Sequence, residues 1–472
     1  MSRRWREEIF MLRLSGARRA LLTMTTATAL GACAARAPSG PPYDAALGLQ
    51  TFDAAWRIVY ETHFDTTFNG VDWVALRDSV RPHAASATSA SALRGVITNM
   101  LDRLGQSHFA IFPKELADTL DPGADSGGAR TGDLGLDFRL IGEELVVTSV
   151  EAGSPADAAG VRPGWVIEAV NGRSVADLLE RLRARNARWP VGFLVWSAAH
   201  GRLGGTVGTA CSLTVRDGAD RARELVLTRR QDPSEPVKFG SLPTFFARFA
   251  SHDTATAAGR PVSVIWFNFW MVPLIRQVDS AMDAARAADG IVMDLRGNRG
   301  GLGGMIVGVS GHFFDTRATL GTFRYRQADL KIVANPRRVS QRGERVQPYD
   351  GPVAVLVDEA SASASEVFAG GMQALERVRV FGATTLGGVL PAVWDRLPNG
   401  DVLYHAIAEF ITSTGVVLEG RGVVPDDAVP LTRGDLLAGR DRVMDAALAW
   451  IDAVRAKEAR AGSEPEPRME KE

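Results

Sequence analysis

The sequence predicts a multidomain α+β protein, with a helical N-terminal domain, a small β domain and a C-terminal α/β core. Residues 44–111 carry apolar side chains at three- and four-residue spacing, which is the period of amphipathic helices. Residues 134–232 contain short alternating apolar segments that indicate strands. From about residue 261, buried-strand patterns such as SVIWFNFW alternate with helical ones such as VDSAMDAARAADG. This alternation favours a mostly parallel sheet covered by helices.

Composition narrows the function classes. The chain has 472 residues and a formal net charge of −1, so nothing in its charge points to a nucleic-acid partner. Only Cys33 and Cys211 occur, which excludes a cysteine-based zinc cluster. We expect neither a metal nor an organic cofactor.

The N-terminus has the pattern of an export signal. In residues 1–33 a basic stretch precedes ALLTMTTATAL, which is shorter than the roughly 20 residues of a spanning helix. The following LGAC resembles a bacterial lipobox, which implies a lipid anchor at Cys33 and a membrane-attached, extracytoplasmic or periplasm-facing protein of the cell envelope. The alternative is a poorly ordered N-terminal extension. Residues 34–43 would be a linker.

A serine-rich segment, EASASASEVFAGG at 359–371, follows the apolar run VAVLV. A strand ending at Val357, a turn of small residues and a helix from about Ser363 would place a hydroxyl at a helix N-terminus. Free N–H groups and the helix dipole favour negative charge there, as in a strand–elbow–helix nucleophile. The alternative is a helix cap, because Ser361 or Ser363 before Glu366 forms an approximate capping box.

Together with DLRGNRGG at 294–301, the SASASE motif resembles the peptidase family of the C-terminal processing (tail-specific) proteases and the tricorn core. GLDF at 135–138 and AGVRPGWVIEAVNG at 159–172 resemble a PDZ domain. In that family the middle serine of SASASE is the nucleophile, which here is Ser363. The resemblance covers roughly residues 50–430 and ends at EGRGVVPDDAV.

The resemblance implies a ClpP/crotonase-like layered sheet and helices for the peptidase core. The expected domains are an N-terminal helical domain at 44–120 that carries the base, a PDZ-like domain at 132–232, an α/β serine peptidase core at 240–455 and a disordered tail at 456–472.

The chain departs from the processing branch of the family at the base. Gly388 occupies the place where that branch has a lysine. LDRLGQSHFAIF instead resembles the Ser-His pair of the tricorn-like branch, which implies His108 as general base, Ser107 as its orienting partner and Glu419 as hydrogen-bond partner of Ser107. The alternative for Glu419 is a loop carboxylate without a catalytic role. Asp294 would tie down the glycine loop.

The resemblance implies a serine endopeptidase that cleaves unfolded or extended polypeptides, near their C-terminal tails, through an acyl-enzyme. The oxyanion hole would use the N–H of Ala364 with that of Gly300 or Gly301, since glycine lets the backbone approach a substrate closely.

The PDZ-like GLDF motif implies a binding site for the substrate tail. The main chain of Leu136, Asp137 and Phe138 would receive a peptide C-terminus. A structural or autoregulatory PDZ module is the alternative, since the Asp137 carboxylate would repel an anionic terminus.

Two further hypotheses remain at this point. The chain could be a catalytically inactive envelope scaffold that binds peptide tails through its PDZ module, and Gly388 and Ala392 favour that hypothesis. An esterase-type α/β hydrolase is the other, but the chain has no G-x-S-x-G elbow to support it.

Overall fold

The computed structural model describes residues 43–114, 132–184, 189–237 and 245–461. The predicted signal with Cys33 lies outside these residues, as do nearly all of the predicted 34–43 linker and residues 462–472 of the predicted tail. Within the described part of the chain, no helix is long and apolar enough to cross a membrane.

Three amphipathic helices form the N-terminal part. Each begins at a polar N-cap, Asp44, Asp72 or Ser89, whose side chain accepts a backbone N–H of the first turn. Their apolar faces meet around Phe52 and Trp73, which are almost completely buried. The helices are α1 (Ala45–Thr62), α2 (Trp73–Ala85) and α3 (Ala90–Asp102).

A small antiparallel sheet joins these helices to the C-terminal part of the chain. Leu397 and Leu403 from its hairpin pack into the same hydrophobic core as the three helices. Arg94 of α3 donates to the fully buried carboxylate of Asp401 at 2.9 and 2.7 Å. The strands, in spatial order, are β1 (Ala110–Phe112), β20 (Val402–Ala406) and β19 (Ala392–Arg396).

The β domain is a six-stranded antiparallel sheet in which five strands follow the order β3-β4-β5-β7-β8 and the short β6 pairs with β5. It has a separate core that includes Phe138 and Ile167. Ala360 from the serine-rich segment also packs into this core. The elements are β2 (Gly132–Asp133), β3 (Leu136–Ile141), β4 (Glu144–Val150), α4 (Pro155–Ala158), β5 (Val166–Val170), β6 (Arg173–Ser174), α5 (Val175–Ala184), α6 (Val191–Leu203), β7 (Ala210–Arg216), β8 (Ala222–Thr228) and β9 (Arg230–Gln231).

For residues 177–208 the sequence predicts a helix followed by an inserted loop, and the structure differs from this prediction. A second helix, α6, occupies most of the expected loop and packs against β3. Val195, Trp196 and Ala199 of α6 are buried in the domain core. The burial of this apolar face explains why the segment is helical, since most helical stability comes from packing.

The C-terminal core is built on a six-stranded sheet in the order β12-β13-β14-β17-β18-β22, parallel except for the edge pair β12–β13. This confirms the predicted mostly parallel sheet. The elements are β10 (Glu235–Val237), β11 (Phe245–Ala247), β12 (Phe249–Ala255), β13 (Pro261–Phe267), α7 (Ile275–Ala284), β14 (Gly290–Asp294), α8 (Gly303–Ser310), β15 (Ala318–Tyr325), β16 (Asp329–Ala334), β17 (Val353–Val357), α9 (Ala364–Ala374), β18 (Arg379–Gly382), β21 (Ala408–Thr412), β22 (Asp427–Ala428), α10 (Arg433–Leu437) and α11 (Arg442–Ala461).

Both faces of this sheet are covered, because successive strand residues point to opposite sides. Met293 and Val355 belong to the core shared with α7, α8 and α9, whereas Val292 and Leu356 belong to the core shared with α11. Every residue of β14 and β17 is buried. The C-terminal ends of these two central strands carry the glycine-rich and serine-rich motifs.

Helix α11 corrects the predicted start of the disordered tail at residue 456. The helix continues to Ala461. Arg455 holds this last part through a 2.7 Å bond to the Asp289 carbonyl and a 2.8 Å bond to Glu458.

Removing the guanidinium of Arg94 should loosen the attachment of the helices. We expect Arg94→Ala to lower the free energy of unfolding by roughly 3 kcal/mol, because it leaves the buried Asp401 carboxylate without its cation. Urea denaturation followed by tryptophan fluorescence measures this change. The matched control is Arg183→Ala, which removes an exposed pair with Glu143 and should change stability by less than about 1 kcal/mol. Equal effects of the two substitutions would contradict the prediction.

Candidate active site

The three serines of SASASE have different environments. Ser361 donates its hydroxyl to the Leu295 carbonyl at 2.8 Å, and Ser365 donates to the Asn298 carbonyl at 3.0 Å; both serines are fully buried. Ser363 is only half-buried, and its backbone has φ 55° and ψ −116°. A positive φ is strained for a residue with a Cβ and is typical of functional elbows. Ser363 is therefore the serine of this motif that is open to a substrate.

The buried carboxylate of Glu366 holds the turn at Ser363, which we call the elbow, in place. Its carboxylate accepts the Ser363 N–H at 2.9 Å, the Gly387 and Gly388 N–H groups at 2.7 and 3.0 Å, and the Thr385 hydroxyl at 2.5 Å. The helix cap considered from the sequence thus exists, but it leaves Ser363 accessible. Burial raises the pKa of Glu366 to about 7, although the four hydrogen bonds oppose the shift.

The glycine-rich loop lies directly against the elbow. A Cβ on Gly300 would come within 2.6 Å of the Ser363 Cβ and 2.8 Å of the Ala364 nitrogen, so only glycine fits there. The Gly300 N–H is bound to the Asn298 side chain at 3.0 Å. Gly301 is exposed, and because Trp270 bonds to the residues on either side of it, its own N–H points away from Trp270.

A chain of hydrogen bonds joins Glu419, Ser107 and His108. Glu419 accepts the Ser107 N–H at 2.6 Å and the Ser107 hydroxyl at 2.8 Å, and the same hydroxyl lies 2.5 Å from His108 Nδ1. Since the single hydroxyl proton goes to the carboxylate, His108 Nδ1–H must donate to the serine oxygen. That tautomer leaves His108 Nε2 as a proton acceptor.

The elbow and this hydrogen-bond chain meet at one short segment. Ser363 donates its N–H to the Gly388 carbonyl at 3.0 Å, and the next N–H, that of Val389, is donated to Glu419 at 2.9 Å. His108 lies just before β1, and its ring is 5.4 Å from that of Tyr404 on β20. Residues that are far apart in the sequence are thus held around the Gly388–Val389 backbone.

The space beside Gly388 is filled from the β domain. A Cβ on Gly388 would lie 3.1 and 3.2 Å from two ring atoms of Trp189. The ring therefore stands where a side chain at position 388 would begin.

The predicted tail-binding positions, Leu136, Asp137 and Phe138, are the first three residues of β3. The Asp137 carboxylate accepts the Phe138 N–H at 2.8 Å, the Trp196 indole N–H at 3.1 Å and the Arg139 guanidinium at 2.8 Å. Burial opposes ionisation of Asp137, but Arg139 and these donors outweigh it and lower its pKa. The Phe138 N–H is thus already bound within the protein, and Leu136 pairs with Val150 of β4.

Arg139 connects β3 to the peptidase core. Its guanidinium binds Asp358 at 2.8 and 2.7 Å, and Asp358 also accepts the Gly297 N–H at 2.9 Å. Both sequence motifs of the core are therefore tied to the β domain through one carboxylate.

Asp294 behaves as the sequence suggested. It accepts the backbone N–H of Arg296 at 3.1 Å and binds the guanidinium of the same residue at 2.9 and 2.6 Å. The glycine loop is thus anchored at its first residues. Among the described residues, no group of His, Cys, Asp and Glu side chains could hold a metal ion.

Several contributors were not identified from the sequence. Asn298 lies inside the DLRGNRGG motif, and its amide side chain close to glycines could have indicated a role in holding the loop. Asp358 and Arg139 gave no local signal because their partners come from different domains. Trp189 lies just before α6, in the segment for which the sequence predicts a loop.

Three family models match the chain. Peptidase family S41 matches residues 272–429, the tricorn protease C1 domain matches 48–102, and a PDZ domain matches 146–185. The PDZ match begins after the GLDF segment at 135–138.

Curated relatives are similar over most of the chain. The chloroplastic C-terminal processing peptidase of Tetradesmus obliquus is 28% identical over 389 residues, covering 79% of this chain and 76% of the relative. The carboxyl-terminal-processing protease of Synechocystis is 25% identical over 383 residues, 79% of each protein.

Solved structures share the fold. The photosystem II D1 C-terminal processing protease aligns with a TM-score of 0.55 at 23% identity, over 81% of this chain and 93% of that protein. Mature CPAF complexed with lactacystin aligns with a TM-score of 0.58 at 13% identity, over 87% of this chain and 97% of that protein.

The buried Glu366 should make stability depend on pH. Its pKa of about 7 in the folded protein lies above its ordinary value of 4.5, so the folded state holds the proton more tightly. The resulting stabilisation is complete below about pH 4.5 and is lost as the pH rises to 7. The loss should be on the order of 3 kcal/mol at about 1.4 kcal/mol per pH unit.

Glu366→Gln isolates this contribution, since an amide does not titrate. We expect the unfolding free energy of the unsubstituted protein to fall relative to that of the variant between pH 4.5 and 7, measured by urea denaturation at each pH. A difference that stays constant with pH would show that Glu366 does not titrate in this range.

Proposed function

We propose a catalytic mechanism for this chain, which is a serine-type peptidase of the family that includes the C-terminal processing peptidases, with a peptidase family S41 domain and a PDZ domain. In the proposed mechanism Ser363 is the nucleophile and His108 is the general base. The main observation in support of this mechanism is the hydrogen-bond chain Glu419–Ser107–His108. This chain is anchored on the Gly388–Val389 segment, which also binds the Ser363 N–H. This arrangement corresponds to the tricorn-like branch rather than to a Ser–Lys dyad.

Peptide hydrolysis would proceed through an acyl-enzyme. The Ser363 hydroxyl attacks the scissile carbonyl while His108 Nε2 takes its proton, and the imidazolium then protonates the leaving amine. Water attacks the acyl-enzyme with His108 again as base. Ser107 and Glu419 hold the Nδ1–H tautomer and stabilise the imidazolium, which is the role of the third member of a serine triad.

The negative oxygen of the tetrahedral intermediate would be bound by two backbone N–H groups. Ala364 supplies one at the N-terminus of α9, where the helix dipole adds to its effect. Of the two glycine candidates we favour Gly301, because the Gly300 N–H is bound to Asn298. Each such donor is typically worth roughly 3–4 kcal/mol of transition-state stabilisation.

The substrates would be unfolded or extended polypeptides, cleaved near their C-terminal ends as the names of the relatives suggest for those proteins. Strand β3, which contains Leu136, Asp137 and Phe138, stands at the edge of its sheet. An extended peptide would add to this edge as a further strand. The engaged Phe138 N–H leaves Leu136 and Asp137, the first two residues of β3, as the main-chain positions for a tail.

Substitution of the proposed residues tests the mechanism. With a reduced and alkylated protein as unfolded substrate, Ser363→Ala and His108→Ala should each lower kcat by roughly 10⁴-fold or more. Glu419→Gln should lower kcat by about ten- to a hundredfold, the effect of losing a charge-assisted hydrogen bond. His252→Ala, which changes an exposed histidine on β12, is the matched control and should leave kcat unchanged.

The outcomes separate the mechanism from its alternatives. Equal cleavage by the unsubstituted protein and Ser363→Ala would exclude Ser363 as the nucleophile. Absence of any cleavage by the unsubstituted protein would favour the inactive PDZ scaffold. Activity that persists in His108→Ala would exclude the proposed base while leaving the peptidase function in place.

We also propose that the chain is exported and held at a membrane by a lipid on Cys33. The basic stretch, the short apolar segment and LGAC support this proposal. Expression of the full chain in a bacterium with labelled fatty acid should give a labelled, membrane-associated protein. Cys33→Ser should remove both properties, and Cys211→Ser, a buried thiol, is the control. Equal labelling of the Cys33→Ser variant would disprove the anchor.

A further inference from the structure

Arg299 is an exposed residue of the glycine-rich loop, and its guanidinium stacks on two aromatic rings. Its Cζ atom lies 4.3 Å from the Trp196 ring centroid and 5.9 Å from that of Phe269, so cation–π contacts hold it in one place. Among the described residues it forms no hydrogen bond or ion pair. The five N–H donors of the guanidinium are therefore available to a ligand.

The neighbouring charged groups already have partners. Asp137, the acidic group that attracts Arg299 most strongly, accepts bonds from Arg139 and Trp196 at 2.8 and 3.1 Å. Arg139 is further bound to Asp358 at 2.8 Å. The positive charge of Arg299 thus remains without a direct counter-ion.

Three aromatic residues of the β domain continue from Arg299 toward the elbow, and we call Trp189, Phe193 and Trp196 the aromatic ridge. Successive ring centroids in the ridge are 5.9 and 5.8 Å apart. At one end of the ridge Trp196 stacks against Arg299, and at the other end Trp189 contacts Gly388. The ridge therefore runs along one side of the active site.

Both ends of the ridge adjoin Ser363. Arg299 immediately precedes Gly300, which packs against the Ser363 Cβ, and consecutive Cα atoms are only about 3.8 Å apart. Gly388, at the Trp189 end, accepts the Ser363 N–H at 3.0 Å. A polypeptide bound at Ser363 would thus lie close to both ends of the ridge.

We propose that Arg299 and the aromatic ridge form a substrate subsite that binds a carboxylate close to the cleaved bond, flanked by an apolar side chain. The proposal rests on the proposed peptidase function and names the class of substrate. Arginine suits this task because its planar fork can bind a carboxylate through two hydrogen bonds. The carboxylate is either the C-terminus of the polypeptide or the side chain of Asp or Glu.

Matched peptides test the proposal and distinguish the two sources. One peptide that the protein cleaves is prepared with a free or an amidated C-terminus, and with Asp or Asn at each of the three positions on either side of the cleaved bond. The unsubstituted protein should cleave the carboxylate member of at least one pair with about tenfold higher kcat/KM, the factor expected for one charge-assisted hydrogen bond.

Variants assign this preference to the guanidinium. In Arg299→Gln the ratio of kcat/KM values should fall to about one, and Arg299→Lys should retain part of it because the charge remains. The matched control is Arg223→Gln, since Arg223 also stacks on a tryptophan, at 5.4 Å from the Trp165 ring centroid, but stands elsewhere in the β domain. It should keep the full ratio.

The pair that responds identifies the source of the carboxylate. If Arg299→Gln loses the preference for the free over the amidated C-terminus, the carboxylate is that of the C-terminus. If it loses the preference for Asp over Asn, the carboxylate is that of a side chain. Either result supports the subsite. Equal cleavage of all pairs by the unsubstituted protein would overturn the proposal, as would a ratio that Arg299→Gln leaves unchanged. Failure of the peptidase function is distinguishable, because then the unsubstituted protein would cleave none of the peptides.

Discussion

The arrangement of the active site depends on the hydrogen bonds and the ion pair of one buried carboxylate, that of Asp358. It follows directly on the central strand β17 and accepts the Gly297 N–H at 2.9 Å and the Ala360 N–H at 3.1 Å. Its second oxygen binds Arg139 of the β domain at 2.8 Å. Because a buried charge is costly unless it is paired and hydrogen-bonded, the glycine loop, the serine loop and the β domain are constrained to meet at this point.

A comparable constraint applies to the proposed base. His108 belongs to the N-terminal part of the chain and Glu419 to the segment after β21, so their contact exists only if the helices are packed on the core. The pairing of β1 with β20 and the bond from Arg94 to the buried Asp401 provide this packing. The position of the His108 imidazole therefore depends on how the helices pack on the core. A substitution that disturbs this packing should also displace the imidazole.

The sequence was informative where the local pattern decided the structure. The apolar runs ending at Asp294 and Val357 predicted β14 and β17, and the small residues after Val357 predicted the elbow and α9. It was uninformative where tertiary contacts decide. The run GFLVW of α6 has no helical periodicity strong enough to exclude a loop, and only its burial makes it helical. The ridge was consequently missed, and so was the inward orientation of Asp137. The hydrogen-bond chain from Glu419 through Ser107 to His108 could be predicted only from the family resemblance.

The segment at Gly388 explains how an active site can tolerate glycine where a related enzyme branch has lysine. Here the segment acts through its backbone, because the Gly388 N–H binds Glu366, the Gly388 carbonyl binds the Ser363 N–H, and the Val389 N–H binds Glu419. None of these contacts needs a side chain at position 388, and Trp189 fills the space that one would use. A lysine placed there would have to displace the ring, and its ammonium group would lose hydration on burial. The segment therefore positions both the proposed nucleophile and the hydrogen-bond partner that supports the proposed base, while that base itself comes from the N-terminal part of the chain.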